Sequence, residues 1–134
     1  MPGGLMKNKS YEIFVSLDDD VLKIVISGSL VKRQAFDIAQ AVYEIFDRYT
    51  PNKVLIDCTQ FVGRLGVSDT YTHVREIKPG RHRPSRVAVF DNLDNKNHFS
   101  FYETTSLNVG FNARFFGDLA KAQRWLSDKP ETLP

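Results

Sequence analysis

Val54-Leu55-Ile56-Asp57 and, further along, Arg86-Val87-Ala88-Val89-Phe90 decide the fold. Each run is apolar without alternation and is bounded by polar loops. A strand of that kind is covered on both faces, as strands of parallel sheets are. Between the two runs lie a glycine-containing loop, Gln60 to Gly66, and a helical pattern from about Ser68 to Lys78. Pro79-Gly80 ends that helix. Strand, helix and strand in this order make a right-handed βαβ unit.

Upstream, Tyr11, Ile13, Val15 and Leu17 alternate with Glu12, Phe14 and Ser16. After Asp18-Asp19-Asp20 the alternation resumes, with Leu22, Ile24 and Ile26 sharing a face. Two alternating runs around a short acidic turn predict a β-hairpin. Three adjacent aspartates repel one another and belong in water. A cation there would need oxygen ligands from elsewhere, since calcium takes about 6–8. Gly28-Ser29 breaks the pattern. From near Val31, apolar residues from Ala35 to Tyr49 recur at spacings of three and four, predicting an amphipathic helix that Pro51 ends.

Downstream come a polar loop, Asp91 to Asn95, and a helix from about Lys96 to Asn108 capped by Gly110. Phe111 to Phe116 forms a short strand. Asp118 is a good N-cap for a last helix carrying Leu119, Ala122, Trp125 and Leu126 on one face. Trp125 is expected to anchor that helix. The order is β-β-α-β-α-β-α-β-α. It predicts an α/β fold whose mixed five-stranded sheet has a leading antiparallel hairpin, then parallel strands, with four helices.

The chain has 134 residues, 42% hydrophobic and 25% charged, with a formal net charge of +2. That is one domain's worth of ordinary globular composition. The single cysteine, Cys58, excludes an internal disulfide and a cysteine-based zinc site. No segment approaches the roughly 20 apolar residues of a membrane span. Met1 to Ser10 lacks the apolar stretch of a signal peptide, so the cytoplasm is the expected compartment. Residues 10–129 are read as one domain, with frayed ends at residues 1–9 and 130–134. The near-zero net charge argues against nucleic-acid binding.

Several runs resemble the STAS domain, the sulfate-transporter and anti-sigma-factor-antagonist fold. The likeness is to its SpoIIAA-like branch of small stand-alone bacterial proteins. It covers about Tyr11 to Lys129. It rests on Phe115-Phe116-Gly117-Asp118-Leu119-Ala120-Lys121-Ala122-Gln123-Arg124-Trp125-Leu126, with Val54-Leu55-Ile56-Asp57 and Arg86-Val87-Ala88-Val89 resembling two central strands. The resemblance implies a regulatory, protein-binding role. It also implies a phosphorylatable serine in an Asp-Ser-Ser/Thr-Gly motif at the helix after the central strand. The corresponding stretch here is Gly66-Val67-Ser68-Asp69-Thr70, so the motif is absent and Ser68 is its positional counterpart. The local reading of Ser68 is a helix N-cap, expected to stabilise by about 1 kcal/mol.

Ligands of parallel sheets lie beyond the carboxyl ends of the strands. Asp57 and Asp91 both follow apolar runs there, and as neighbours they would suit acid–base work or magnesium. The alternative is that each satisfies loop N–H groups. A receiver-domain phosphoacceptor site is excluded by topology, because Asp18-Asp19-Asp20 lead into a strand and not a helix. Lys78, Arg81, His82, Arg83 and Arg86 form a basic cluster, read either as a solvated face or as a patch for an anion or acidic partner. His73, His82 and His98 lack metal-ligand spacing. Cys58 shares the alternation of Val54 and Ile56 and reads as a small buried hydrophobe. No nucleophile elbow, phosphate loop or dinucleotide fingerprint occurs.

The sequence therefore predicts no enzyme, cofactor or metal. Its first functional reading is a regulatory or protein-interaction module, or a self-associating one. The working surface would be the loop from Asp57 to Ser68 with the following helix start, including Gly66, Ser68, Asp69 and the nearby Asp91. The alternative is a carrier or sensor holding a small apolar or anionic ligand between helices and sheet. An apolar cavity lined by Phe99, Tyr102 and Phe116 would favour that alternative.

Overall fold

The structure, a computed structural model, describes residues 10–128; the expected frayed ends lie outside the described residues. Strand β1 (Tyr11–Asp18) pairs antiparallel with β2 (Val21–Ser29), Asp18 standing opposite Val21 across the acidic turn. Helix α1 (Lys32–Tyr49) leads to β3 (Lys53–Val62), and α2 (Val67–Glu76) to β4 (Arg86–Phe90). A 3-10 turn (Leu93–Asn95) then runs into α3 (Lys96–Asn108), followed by β5 (Ala113–Phe116) and α4 (Leu119–Ser127). The sheet order is β1-β2-β3-β4-β5, with every pairing after the hairpin parallel. The predicted mixed sheet and its four helices are present, and the two apolar runs are interior strands.

The sheet separates two cores. On one face Leu22, Ile24, Val54, Ile56, Val87 and Val89 meet Val42 and Phe46 of α1, with Phe111 closing the layer. On the other, Leu55 and Ala88 meet Ala122 and Leu126 of α4. Asp118 caps α4 by accepting from the backbone N–H of Ala120 (2.8 Å) and Lys121 (3.3 Å). Gly28, at φ +118°, passes so close to Ser10 that a Cβ would lie 2.1 Å from its carbonyl oxygen. That contact ties the start of β1 to the end of β2.

Three local expectations change. Strand β3 runs on through Val62, because β2 continues beside it as far as Ser29. Asp57 and Cys58 therefore lie within the strand, as does the start of the expected loop at Gln60. A bulge at Cys58-Thr59 lets two residues of β3 oppose Ile26 alone, so Phe61 joins the face of Ile56 and Cys58. Strand β5 begins only at Ala113. Finally, the anchor of α4 is Leu126, 2% exposed, while Trp125 is half-buried across Phe116, with the guanidinium carbons of Arg86 and Arg114 5.3 and 5.6 Å from its ring centre.

Leu126→Ala should therefore cost about 2–5 kcal/mol in chemical denaturation, the range for large-to-small core changes. Trp125→Ala should cost clearly less. The reverse ranking would place the indole at the centre of this core after all.

Candidate functional site

Gly63, at φ +94°, turns the chain after β3 so that Arg64 points back over the strand ends. The Arg64 side chain is 11% exposed and that of Asp91 opposite it only 1%. Nη2 donates to Asp91 Oδ1 (2.6 Å) and Nε to Oδ2 (3.1 Å), a bidentate ion pair. The same group reaches three backbone carbonyls: Cys58 (3.0 Å), Phe61 (2.8 Å) and Gly63 (2.6 Å). Asp91 also accepts from the N–H of Asn92 and the amide of Asn95, at 2.7 and 3.2 Å. Every charge that folding buries here is met by an opposite charge or a donor. Tyr102 of α3 donates from its hydroxyl to the Leu65 carbonyl at 2.8 Å. The segment after β3 is thus held at its root by Arg64 and at its far end by α3.

This arrangement roofs a pocket of about 320 Å³ at the carboxyl ends of the parallel strands. Ile26, Ile56 and Val89 supply sheet residues, Ala39 comes from α1, His73 from α2 and Tyr102 and Phe115 from α3 and β5. The lining is mainly apolar. Cys58 lines it too, and burial pushes its thiol up to about 12, so no thiolate forms near neutrality. Burial also holds the His73 imidazole below its ordinary value of 6.5, against an upward pull from Glu76.

The sequence-derived candidates divide. Asp91 is in the pocket wall. Asp57 is not: it stands on the alternate set of β3 residues, with Leu55, and its Oδ1 accepts from the Thr59 N–H (2.9 Å) and hydroxyl (2.6 Å). The two aspartates face opposite sides of the sheet, which corrects the reading of a working carboxylate pair. Among the described residues no group of three or more His, Cys, Asp and Glu is arranged to hold a metal ion. Gly66 is the extended residue before α2, which corrects the reading of Ser68 as N-cap. Thr70 sends both its N–H and its hydroxyl to the Gly66 carbonyl, at 2.9 and 2.7 Å, so the cap lies two residues before Ser68. Ser68 is exposed in the first turn with no capping bond. Asp69, beside it, pairs with Lys32 of α1 at 2.9 Å.

Of Phe99, Tyr102 and Phe116, one meets the aromatic expectation. Tyr102 lines the pocket, but with Phe115 as its partner, their ring centres 5.5 Å apart. Phe99 sits behind Phe115, and Phe116 faces α4 on the other side. The basic cluster is largely spent on the protein itself. Arg83 covers Phe111 at 4.9 Å and donates to the Gly80 carbonyl, while Arg86 donates to the carbonyls of Trp125 and Asp128. His82 contacts the Pro51 carbonyl through Nε2. Sequence reasoning missed Arg64 altogether; a lone arginine beside a glycine carries no periodic signal.

Solved structures share this architecture. An anti-sigma factor antagonist from Mycobacterium paratuberculosis aligns at a TM-score of 0.54 and 16% identity, covering 89% of this chain and 96% of that one. An uncharacterized protein of the DUF3478 family with a SpoIIAA-like fold, from Shewanella loihica, aligns at 0.50 and 16%, covering 87% and 94%. The fold is SpoIIAA-like. No family model matches the sequence, and no curated protein does. In this SpoIIAA-like domain Ser68, the position that the sequence resemblance implies for a phosphorylated serine, is exposed. No helix among the described residues is long and apolar enough to cross a membrane.

Arg64→Met leaves Asp91 buried without its cation and should cost about 3–5 kcal/mol in urea denaturation. Replacing both, as Arg64→Met with Asp91→Leu, should recover part of that loss. A single variant within 0.5 kcal/mol of the parent, the ordinary surface range, would show that the pair is not a constraint. His73 yields a pH prediction. Its proton is bound more readily in the unfolded chain, so stability should fall as the pH drops through 6.5 toward the lower native value. In His73→Gln that part of the stability–pH profile should flatten.

Proposed function

We propose that this domain is a non-enzymatic, cytoplasmic regulatory module. It binds a small, mainly apolar molecule in the pocket and offers the segment from Asp57 to Ser68 to a protein partner. The pocket carries the reading. Its volume is at the low end of the roughly 300–1,000 Å³ typical of ligand sites, and its position follows the rule for parallel sheets. The one strong cation in its wall, Arg64, is already neutralised by Asp91, so the walls favour an uncharged or weakly polar occupant. Thr105 and Ser106 of α3 supply hydroxyls for a polar end.

The partner half of the proposal draws on the neighbour described as an anti-sigma factor antagonist, a protein whose name denotes action on another protein. In the present chain the matching surface lacks the phosphorylation motif. Control would instead pass through occupancy of the pocket, because Phe61, Arg64 and Leu65 line it and alternate along the chain with the exposed Val62, Gly63 and Gly66. Among the described residues the arrangement offers no paired carboxylates, no thiolate and no base beside a nucleophile, which is why catalysis is not proposed.

Thermal unfolding with 1-decanol and with decanoate provides the test. A ligand at about 100 times its Kd stabilises a fold by roughly 2.7 kcal/mol, a readily measured shift in Tm. Decanol should raise Tm more than decanoate, and Ala39→Trp, which fills the pocket from α1, should abolish both shifts while remaining folded. If neither probe shifts the parent protein, or if the filled variant responds equally, the pocket reading is wrong.

A further inference from the structure

The two edges of the sheet are treated differently. At β5 the edge is four residues long, and Glu103 of α3 accepts from the outward N–H of Phe115 at 2.7 Å. At β1 the edge is eight residues long. The closing pair Asp18–Val21 and the bond from Ser29 N–H to the Ser10 carbonyl set the phase of the hairpin. Glu12, Phe14 and Ser16 turn their backbone groups toward β2. Ile13, Val15 and Leu17 turn theirs outward. Natural edges are commonly guarded by lysine, proline or a bulge; β1 has none of these. Two large apolar side chains on it are left in water, Phe14 at 57% and Leu17 at 71% exposure.

From this edge we infer that the protein is a two-fold dimer, joined by antiparallel pairing of β1 with β1 of a second copy into one continuous sheet. The side chains select the register. With Ile13 opposite the second copy's Val15, the whole strand overlaps and Phe14 meets its own counterpart across the axis. On that face Val25 of each copy flanks the pair, since Val25 is the neighbour of Phe14 on β2. Glu12 of one copy then stands opposite Ser16 of the other, whose neighbour on β2 is Lys23. The short serine leaves the carboxylate and the ammonium room to approach. Shifting one way by two residues opposes Glu12 with Asp18; shifting the other way opposes Glu12 with Phe14. Both are poorer, the first by like-charge repulsion.

The opposite face supplies an independent fit. A groove of about 270 Å³ runs between β1 and α1, lined by Tyr11, Ile13, Ala41 and Ile45 among others. In the selected register Leu17 of the second copy stands opposite Tyr11, on the groove's side of the sheet. The exposed leucine that has no place in one copy thereby enters a groove in the other, and the two-fold repeats the fit. This inference does not depend on the pocket reading.

Sedimentation velocity should give twice the mass of the chain at micromolar concentration. Phe14→Lys, which sets two cations against each other at an exposed site, should halve that mass while the circular dichroism spectrum stays that of the folded chain; Tm should lose its dependence on protein concentration. Cysteine pairing then tests the register. Opposed residues of this non-hydrogen-bonded type have Cα atoms about 4.5 Å apart, within disulfide range. Phe14→Cys alone should cross-link on mild oxidation, and Glu12→Cys should cross-link with Ser16→Cys but not with itself. A Cys58→Ser background removes the one native thiol, which lines the pocket. A monomer at high micromolar concentration, or a dimer that survives Phe14→Lys, overturns the proposal. Cross-linking of Glu12→Cys to itself overturns the register.

Discussion

The bond between Arg64 and Asp91 is the constraint on which the functional end of the molecule depends. Without it the carbonyls of Cys58 and Phe61 in β3, and of Gly63 just after it, would lose the donor they share. A guanidinium has five N–H groups in a fixed plane, and here one residue meets three carbonyls and a carboxylate at once. A lysine, with a point charge and no fork, could not hold that set. Asp91 in turn is fixed at the end of β4, where its own N–H donates to the Phe116 carbonyl at 2.9 Å. The pocket has a definite shape because its roof is tied to two interior strands and, through Tyr102, to α3.

The architecture was legible because hydrophobic period reports it directly. The alternation of Tyr11 to Leu17, the unbroken Val54 to Ile56 and Val87 to Phe90, and the spacing along α1 each reflect one burial pattern. Where the reading slipped, neighbours outvoted local signals. Asp57-Cys58-Thr59-Gln60 looks like the end of a strand, yet a long partner strand and a bulge carry it on to Val62. Trp125 looks like an anchor by size, but Leu126 occupies the position turned toward Ala88, and the indole serves as a shelf for arginines.

The site was legible only in outline. The rule that ligands bind beyond strand ends pointed to Asp91 and to the segment ending at Ser68. It also set Asp57 beside Asp91, which fails because position along a strand says nothing about face until register is known. Ser68 fits the statistics of a cap, but Thr70 bonding back to Gly66 shifts the helix start, and no short-range pattern announces that choice. Arg64 lies beyond any such reading, since its partner is in another strand and its other contacts are backbone atoms.

Helix α1 borders both the pocket and the groove beside β1, yet with different residues. Ala35, Ile38 and Ala39 face the pocket, whereas Ala41, Glu44 and Ile45 face the groove beside β1. Between and beneath them Val42 and Phe46 are buried against the sheet. Close packing makes such a helix move as a body or not at all. A ligand that displaced α1 by even a fraction of a turn would also reshape the groove that receives Leu17 of a second copy. Coupling between occupancy and assembly therefore requires that the ligand bind the two arrangements of α1 unequally. A ligand accommodated without moving α1 would leave assembly untouched, and in that case the two surfaces serve separate ends.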